Sequence, residues 1–502
     1  MKHYNNDFLD YYKKELSYLR SRGQEFAEKY PKVAGGLDIG IDNSSDPHIE
    51  RLIESFAFLT GRIQRNIDNE FPELSTSILN NVYPQLLTPV PSMTIAHFGT
   101  EDFDFPSIPM KIEKHHPLAA FTSEGQKCKF RTCYPVELWP VAVTFAGIRN
   151  SDDFHFLNQK NNTQVLQIRI KPTGDTSLAD LDITSLKFHI HGDTSTANLI
   201  YETLFCSGKE VKIYSHEDEK TVLSDAVIEP VGFEKEEEVL PYPKNSNYGY
   251  RLLQEFFVLP EKFLFFDIKN IDLKKCNHYF DILIPLKKIL RKEITISKKN
   301  FLLGCTPVIN LFKKISEPIR IDNYQTEYKV NPDSHREQST EIFAIESVSP
   351  TLTKEKLPDS IEPYFSFKSK NGDSKSANIF WYARKEESTR SNMAGQDLML
   401  SLLNMNFEPD LPEKKTLYAR VICTNRNIAG SMSAGMPLES EEKLNNLKIN
   451  ILKRPSSRIQ APKGKALWRL ISALSLNYLS LGSDQASLES LREIVALFDY
   501  EN

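Results

Sequence analysis

Apolar residues recur at helical spacing in the N-terminal part of the chain. Steps of three and four alternate from Leu9 to Tyr30, which is the heptad pattern of helices that pack along a seam, and Pro31 ends this helix. Asp46-Pro47 is a strong helix start, and the same spacing continues from there. A third, shorter helix is predicted over 73–87. The first seam contains Leu9, Tyr12, Leu16, Leu19, Gly23, Phe26 and Tyr30, and the second contains Ile49, Leu52, Phe56, Leu59 and Ile63.

Periodicity alone leaves two interpretations of these seams open. The helices can form an antiparallel hairpin that buries its own apolar residues, or they can belong to a bundle shared with other chains. Phe58 lies on the opposite face from Ile49 on a wheel of about 100° per residue, so the second helix is expected to be covered on more than one side.

Beyond Thr88-Pro89-Val90-Pro91 the pattern changes to the period of two that is typical of strands. Strands are predicted at 165–170, 186–191, 279–286 and 417–423. A helical insert is predicted over 307–315, and solvated loops over 234–238 and 368–377. Helical spacing returns near the C-terminus, with stripes at 467–478 and 488–498.

These patterns predict an α+β multidomain protein. An N-terminal helical bundle segment precedes a large β-rich middle of antiparallel, sandwich-like sheets, and C-terminal helices follow. The predicted division is a helical assembly domain (1–91), a first β-rich domain (92–300), a second α+β domain (301–450) and a C-terminal helical segment (451–502).

Composition narrows the class of protein. The 502 residues are 40% hydrophobic and 26% charged, as in ordinary soluble proteins. The net charge of −5 argues against a general nucleic-acid binder. Neither a secretory leader nor an apolar run long enough for a membrane span is visible. The six cysteines form no CxxC pair and are expected to be reduced thiols, so the predicted compartment is the cytoplasm.

The search for catalytic chemistry finds no complete motif. The turn Gly430–Gly435 resembles a nucleophile elbow but has Met432 where the serine belongs. His189 and His191 share a strand face that could hold Zn²⁺, yet a solvated strand face is the simpler interpretation. We therefore predict no enzyme activity, no catalytic residue, no cofactor and no metal site.

One segment is dense in aromatic residues and prolines, Phe130-Arg131-Thr132-Cys133-Tyr134-Pro135-Val136-Glu137-Leu138-Trp139-Pro140. It resembles the FRT-x-YPV-x-LWP signature of the TssF (VasA/ImpG) family of the bacterial type VI secretion system. Further segments resemble the family in the same order along essentially the whole chain. They include 11–20, 46–59, 82–93, 256–263, 306–312, 423–426 and 467–481.

The resemblance implies a structural role in a type VI baseplate wedge. In that family two TssF copies join one TssG, the trimer binds TssK and TssE, and the wedges surround the spike hub and nucleate the contractile tail. We therefore expect these partners and a second copy of the chain, without nucleic acid and without membrane insertion. A baseplate protein of a related phage-tail-like device, or a β-sandwich hydrolase, is the alternative.

The resemblance also favours the shared bundle over the closed hairpin. The residues expected at the partner interface are Leu9, Tyr12, Leu16, Leu19, Phe26, Leu52, Phe56, Phe58 and Leu59. The signature residues expected to be structural are Arg131, Tyr134, Pro135, Trp139, Asn425 and Trp468. Family members usually continue for several tens of residues beyond the match to 487–500, so the C-terminal segment is expected to be shortened.

Overall fold

The structure is a computed structural model. It describes residues 4–36, 47–69, 78–79, 83–99, 110–154, 156, 164–174, 176–207, 211–217, 220–242, 246–286, 295–322, 325–350, 360–364, 379–388, 395–403, 416–442, 447–462, 465–476 and 485–499.

The chain folds into two compact units, one helical and one built of strands. The helical unit comprises Met1–Leu87 and Ala461–Leu497, and the β unit comprises Thr88–Gln460 and Phe498–Asn502. The helices among the described residues are α1 (Tyr4–Lys29), α2 (Pro31–Gly36), α3 (Pro47–Asn69), α4 (Thr194–Glu202), α5 (Tyr248–Val258), α6 (Lys465–Leu476) and α7 (Gln485–Ala496). Of the predicted helix over 73–87, most positions lie outside the described residues, and Pro84–Leu87 forms a 3-10 turn.

The strands of the β unit follow one another along the chain with few helices between them. They are β1 (Met93–Gly99), β2 (Met110–Ile112), β3 (Pro117–Phe121), β4 (Lys127–Thr132), β5 (Val136–Leu138), β6 (Val141–Asn150), β7 (Gln164–Pro172), β8 (Ser185–Ile190), β9 (Val211–Glu217), β10 (Lys220–Val231), β11 (Phe265–Lys269), β12 (Phe280–Leu286), β13 (Phe301–Leu302), β14 (Cys305–Ile309), β15 (Phe312–Ile315), β16 (Ile319–Arg320), β17 (Glu327–Lys329), β18 (Glu341–Ser349), β19 (Glu362–Pro363), β20 (Phe380–Glu387), β21 (Gln396–Leu403), β22 (Thr416–Thr424), β23 (Pro437–Ser440) and β24 (Lys448–Ile451).

Two large sheets organise this unit. A closed barrel runs β1-β14-β4-β3-β23-β24, and an eight-stranded sheet runs β13-β8-β11-β10-β9-β12-β7-β6. There are also smaller sheets: β15-β22-β16 with β18 also on β22, β17-β21-β20-β19, and the pair β2-β5. Among the described residues the strand pairings are antiparallel except for β19 with β20, which are parallel.

The eight-stranded sheet carries the largest apolar cluster of the described residues. Phe188 on β8 and Phe266 on β11 are cross-strand partners, and their rings stack with centroids 5.2 Å apart. Both side chains are fully buried. Cross-strand aromatic pairs of this kind stabilise a sheet beyond the area that they bury.

The predicted helical insert over 307–315 is wrong. Residues Cys305–Ile309 form β14 of the barrel and Phe312–Ile315 form β15. Thr306, Val308 and Ile309 are β-branched and favour strand geometry, and the carbonyl of Pro307 accepts a hydrogen bond from the N–H of Cys133.

The predicted α+β class is confirmed, with helices near both ends and antiparallel sheets between them. The strands predicted at 165–170, 186–191, 279–286 and 417–423 correspond to β7, β8, β12 and β22. The segment 234–238 contains a 3-10 turn at Lys235–Glu237. The segment 368–377 lies outside the described residues. The division of the chain at residues 91, 300 and 450 stays a prediction.

Candidate assembly surface

Helices α1 and α3 pack against each other in antiparallel directions. A Cβ added at Gly61 would lie 3.2 Å from the backbone nitrogen of Tyr12, so the helices nearly touch there. At the other end of the pair, Arg20 on α1 forms an ion pair with Glu50 on α3. Residue 12 therefore faces residue 61 and residue 20 faces residue 50.

Small residues make the close contact of this pair. Ala57 is fully buried, Gly61 is buried, and Ala27 on α1 is buried as well. Ile53, one turn before Ala57, is half-buried. Spacing of four along α3 aligns Ile53, Ala57 and Gly61 on one side of the helix. The helices therefore approach closely without using the large apolar side chains of the predicted seam.

The predicted seam of α3 is exposed instead. We call Leu52, Phe56, Leu59 and Ile63 the α3 stripe; their exposed fractions are 67%, 58%, 54% and 56%. At about 100° per residue these four side chains span roughly 60° of the helix surface, about 100° or more from Ala57 and Gly61. The interpretation of a hairpin that buries its own seam is therefore wrong for α3.

The other residues expected at a partner interface fall into two groups. Tyr12, Leu16 and Leu19 are half-buried on the side of α1 that carries Ala27. Leu9 and Phe26 are exposed, as is Phe58 on a different side of α3 from the stripe. The helical unit thus presents several large apolar side chains at its surface, on more than one side of its helices.

The C-terminal helices repeat this division between buried and exposed apolar residues. Leu467, Leu470 and Leu474 on α6 are buried, as is Ile494 on α7. Trp468, a signature residue, is exposed, and so are Leu488 and Leu491. Position 478 of the predicted stripe lies outside the described residues.

Most of the aromatic signature segment belongs to the interior of the β unit. Tyr134 is buried, its ring lies edge-on to Phe265 at 6.0 Å, and its hydroxyl donates to the carbonyl of Glu237. Burial raises the pKa of Tyr134 and lowers that of Arg131, which is half-buried. Pro135 is exposed, and Trp139 packs against the core of the eight-stranded sheet.

Asn425 fixes the barrel to the neighbouring sheet. Its side-chain oxygen accepts from the backbone N–H of Lys129 and from the amide of Asn310, both at 2.8 Å. Its own backbone N–H donates to the side-chain oxygen of Asn310 at 2.7 Å. Both asparagines are buried, so this reciprocal pair satisfies polar groups that would otherwise be costly to bury.

A buried ionic cluster holds the acidic segment 234–240. Glu255 on α5 is fully buried and forms an ion pair with the fully buried Lys262. Its carboxylate accepts hydrogen bonds from the backbone N–H groups of Val239 and Leu240, both at 2.8 Å. Arg251, one turn earlier on α5, donates to the carbonyls of Glu234 and Lys235. Burial lowers the pKa of Lys262, and the carboxylate of Glu255 opposes that shift.

The expectation of a solvated strand face at His189 and His191 is wrong for His189. That side chain is buried, and its ring lies 4.5 Å from the ring of Phe265. Burial lowers the pKa of His189 to about 3. Within the described ranges, no group of three His, Cys, Asp or Glu residues is placed to hold a metal ion.

The turn that resembles a nucleophile elbow begins with a short 3-10 segment, Ala429–Ser431. The hydroxyl of Ser431 donates to the carbonyl of Ile428 at 2.7 Å, three residues back. Cys128 and Cys133 are buried thiols, and burial raises the pKa of Cys133 to about 12. Of the helices described, none has the length and apolar character that crossing a bilayer requires.

An α+β chain whose helical unit keeps large apolar side chains at its surface is built like a subunit of a larger assembly. The family model described as "Type VI secretion system, TssF" matches residues 4–502. The chain belongs to this TssF family.

A relative and two solved structures are similar to the chain over most of its length. The type VI secretion system component TssF1 of Pseudomonas aeruginosa is 28% identical over 98% of this chain and 84% of that protein. A chain of the TssK-TssF-TssG baseplate subcomplex, solved by cryo-electron microscopy, matches with a TM-score of 0.72 and 22% identity over 90% of this chain and 82% of that one. A chain of a type VI baseplate complex matches with a TM-score of 0.60 and 21% identity over 98% and 83%.

The signal for the α1–α3 contact was present in the sequence. Ala57 and Gly61 are four positions apart, which is the spacing that lets two helix backbones approach closely. A search that counts only large apolar residues passes over this pair and assigns the contact to the wrong side of α3.

Proposed function

We propose that the chain is a structural subunit of a type VI secretion baseplate, and that the α3 stripe is where it packs against other subunits. Membership in the TssF family supports the baseplate role, and the similar chain from the TssK-TssF-TssG subcomplex supports partners of the TssG and TssK type. A TssE-type subunit, the spike hub and a second copy of this chain complete the proposed surroundings, in the cytoplasm. The protein acts in this proposal by assembly and not by catalysis.

The observation that carries the proposal is the placement of Leu52, Phe56 and Leu59. These side chains are more than half exposed although they form a regular seam, and the spacing is what knobs-into-holes packing with another helix requires. Burial of each such side chain at an interface would contribute roughly 1.5–3 kcal/mol. A stripe of four can therefore hold a neighbouring subunit.

The test is co-expression with a TssG-like protein from the same organism, followed by light-scattering mass after size exclusion. We expect a complex with two copies of this chain per partner. Phe56→Asp places a charge in the stripe and should abolish the complex. Ser17→Asp adds the same charge on the exposed polar side of α1 and should leave it intact.

Thermal unfolding of the two lone variants is the control for folding, since both positions are exposed. A normal complex with Phe56→Asp would overturn the role of the stripe. A wild-type chain that stays monomeric beside its partner would overturn the baseplate proposal itself.

A further inference from the structure

The aromatic signature segment forms one wall of a cavity in the β unit. The cavity has a volume of about 140 Å³ and lies where the barrel approaches the eight-stranded sheet. Trp139, Leu186 and Gly304 are among the residues that line it. An apolar cavity of about 150 Å³ accommodates benzene, so a planar group of a few heavy atoms fits here.

Gly304 is required for this geometry. Its φ is +66°, and a Cβ there would lie 2.8 Å from the carbonyl oxygen of Phe98. A side chain at this position would be strained and would collide with the barrel backbone. At this point of the cavity lining, the backbone at Gly304 therefore lies close to the backbone of β1.

One charged pair of the lining is buried in part and not joined by an ion pair. Asp267 and Lys187 line the cavity, as does Glu137, whose side chain is exposed. Asp267 and Lys187 are direct cross-strand partners on β11 and β8. Among the described residues no ion pair within 4.0 Å joins them, and the amine of Lys187 lies instead 5.6 Å from the ring centre of Tyr134.

Two polar atoms of the lining residues have unmet hydrogen-bonding capacity. Oδ1 of Asp267 and Nε1 of Trp139 are both buried and have no hydrogen-bond partner in the described part of the chain. An unpaired buried carboxylate oxygen is the more costly of the two. Burial raises the pKa of the Asp267 carboxyl, and the charges of Lys187 and Lys269 oppose that shift.

We propose that this cavity binds a guanidinium group, with Asp267 as its carboxylate partner and Trp139 as its aromatic wall. A guanidinium is planar, pairs with a carboxylate through two parallel hydrogen bonds, and stacks on aromatic rings. It places a positive charge beside the Asp267 carboxylate and supplies a donor for its Oδ1. Arginine side chains of a partner protein and free guanidinium compounds share this chemistry. The inference concerns the lone chain and does not depend on the proposed assembly role.

The experiment uses the full chain labelled with 5-fluorotryptophan and observed by ¹⁹F NMR. The chain has three tryptophans, which are Trp139, Trp381 and Trp468. Methylguanidinium chloride is the probe, and sodium chloride at equal concentration is the control for ionic strength. We expect a saturable shift of the Trp139 signal alone, while the signals of Trp381 and Trp468 stay in place.

Three variants test whether the shift reports binding at the Asp267 carboxylate. Asp267→Asn keeps the size of the side chain, removes its charge and should weaken binding about tenfold or more. Asp225→Asn removes an exposed carboxylate from the same sheet and should leave binding within about twofold. Lys187→Met removes the competing cation and should tighten binding, an effect that a merely structural role would not produce.

Absence of a saturable shift at Trp139, or equal affinity in Asp267→Asn and the parent chain, would overturn the proposal. Repeating the titration in the presence of the TssG-like partner distinguishes the two sources of the ligand. Loss of methylguanidinium binding in the complex would identify a partner side chain as the occupant, and retained binding would identify a free guanidinium compound.

Discussion

Helix α3 and the interior of the β unit place their large apolar residues differently. In the β unit such residues fill the interior, as the stacked pair Phe188 and Phe266 shows. In the helical unit the helix contact is made by Ala57 and Gly61, while Phe56 remains exposed. Large apolar side chains therefore fill the interior of the β unit, whereas those of the α3 stripe remain at the surface.

This difference teaches that a regular apolar seam does not identify the side of a helix that packs inside its own chain. Helices can approach through small residues, which bring their backbones close and leave the seam for a second contact. The cost is an exposed apolar surface, which is tolerated where a partner covers it. The following predictions test this contrast.

The largest effect is expected in the core of the β unit. Phe266→Ala removes a fully buried ring that stacks on Phe188 and should lower the free energy of unfolding by about 3–5 kcal/mol. Phe266→Leu keeps most of the volume and should cost less than about 1.5 kcal/mol. Denaturant unfolding of both variants measures the difference, and equal costs would contradict a tightly packed core at this position.

A smaller effect on the free energy of unfolding is expected when low pH favours protonation of His189. Its folded pKa of about 3 lies below the unfolded value near 6.5, so the unfolded state binds the proton more readily between these values. The contribution of neutral His189 to the free energy of unfolding is therefore fully present above about pH 6.5. It falls with decreasing pH, by about 3 kcal/mol between pH 7 and pH 4.

His189→Gln should remove this part of the pH dependence of unfolding, while the exposed His335→Gln should leave it in place. An unchanged slope in His189→Gln would show that the histidine is not held neutral by burial.

The contact between α1 and α3 should be sensitive to the size of the side chain at position 61. Gly61→Leu forces a side chain against the backbone of Tyr12, only 3.2 Å from the position of its Cβ, and should cost about 1–3 kcal/mol. Gly35→Leu is the matched control, because a Cβ at Gly35 meets no atom within 4 Å. Thermal unfolding compares them. A tolerated Gly61→Leu would mean that the helices do not pack through this glycine.

The smallest effect on the lone chain is expected in the α3 stripe. Leu52→Gln replaces a side chain that is mostly exposed, so it should change the free energy of unfolding by no more than about 0.5 kcal/mol. The same variant should weaken the complex with the TssG-like partner. A large loss of stability in the isolated chain would show that Leu52 serves its own fold, against the contrast drawn above.

Periodicity in the sequence was sufficient for the fold class and for the main strands. It failed at 307–315, where Thr306 and Val308 join the barrel through contacts distant in sequence. It also failed at His189, since alternation predicts one solvated face, whereas this part of β8 is covered on both sides. Local patterns do not encode how elements distant in sequence pack together. The packing around Ala57 and the cavity beside Asp267 both depend on such packing.

The most direct test of the central contrast is thiol labelling at the α3 stripe. In a Cys206→Ser background, which removes the exposed native thiol, Phe56→Cys and Ser17→Cys are treated with a maleimide, alone and with the TssG-like partner. We predict rapid labelling of both cysteines in the lone chain and protection of the one at position 56, but not at position 17, in the complex. Equal labelling of position 56 with and without the partner would contradict the account, as would slow labelling in the lone chain.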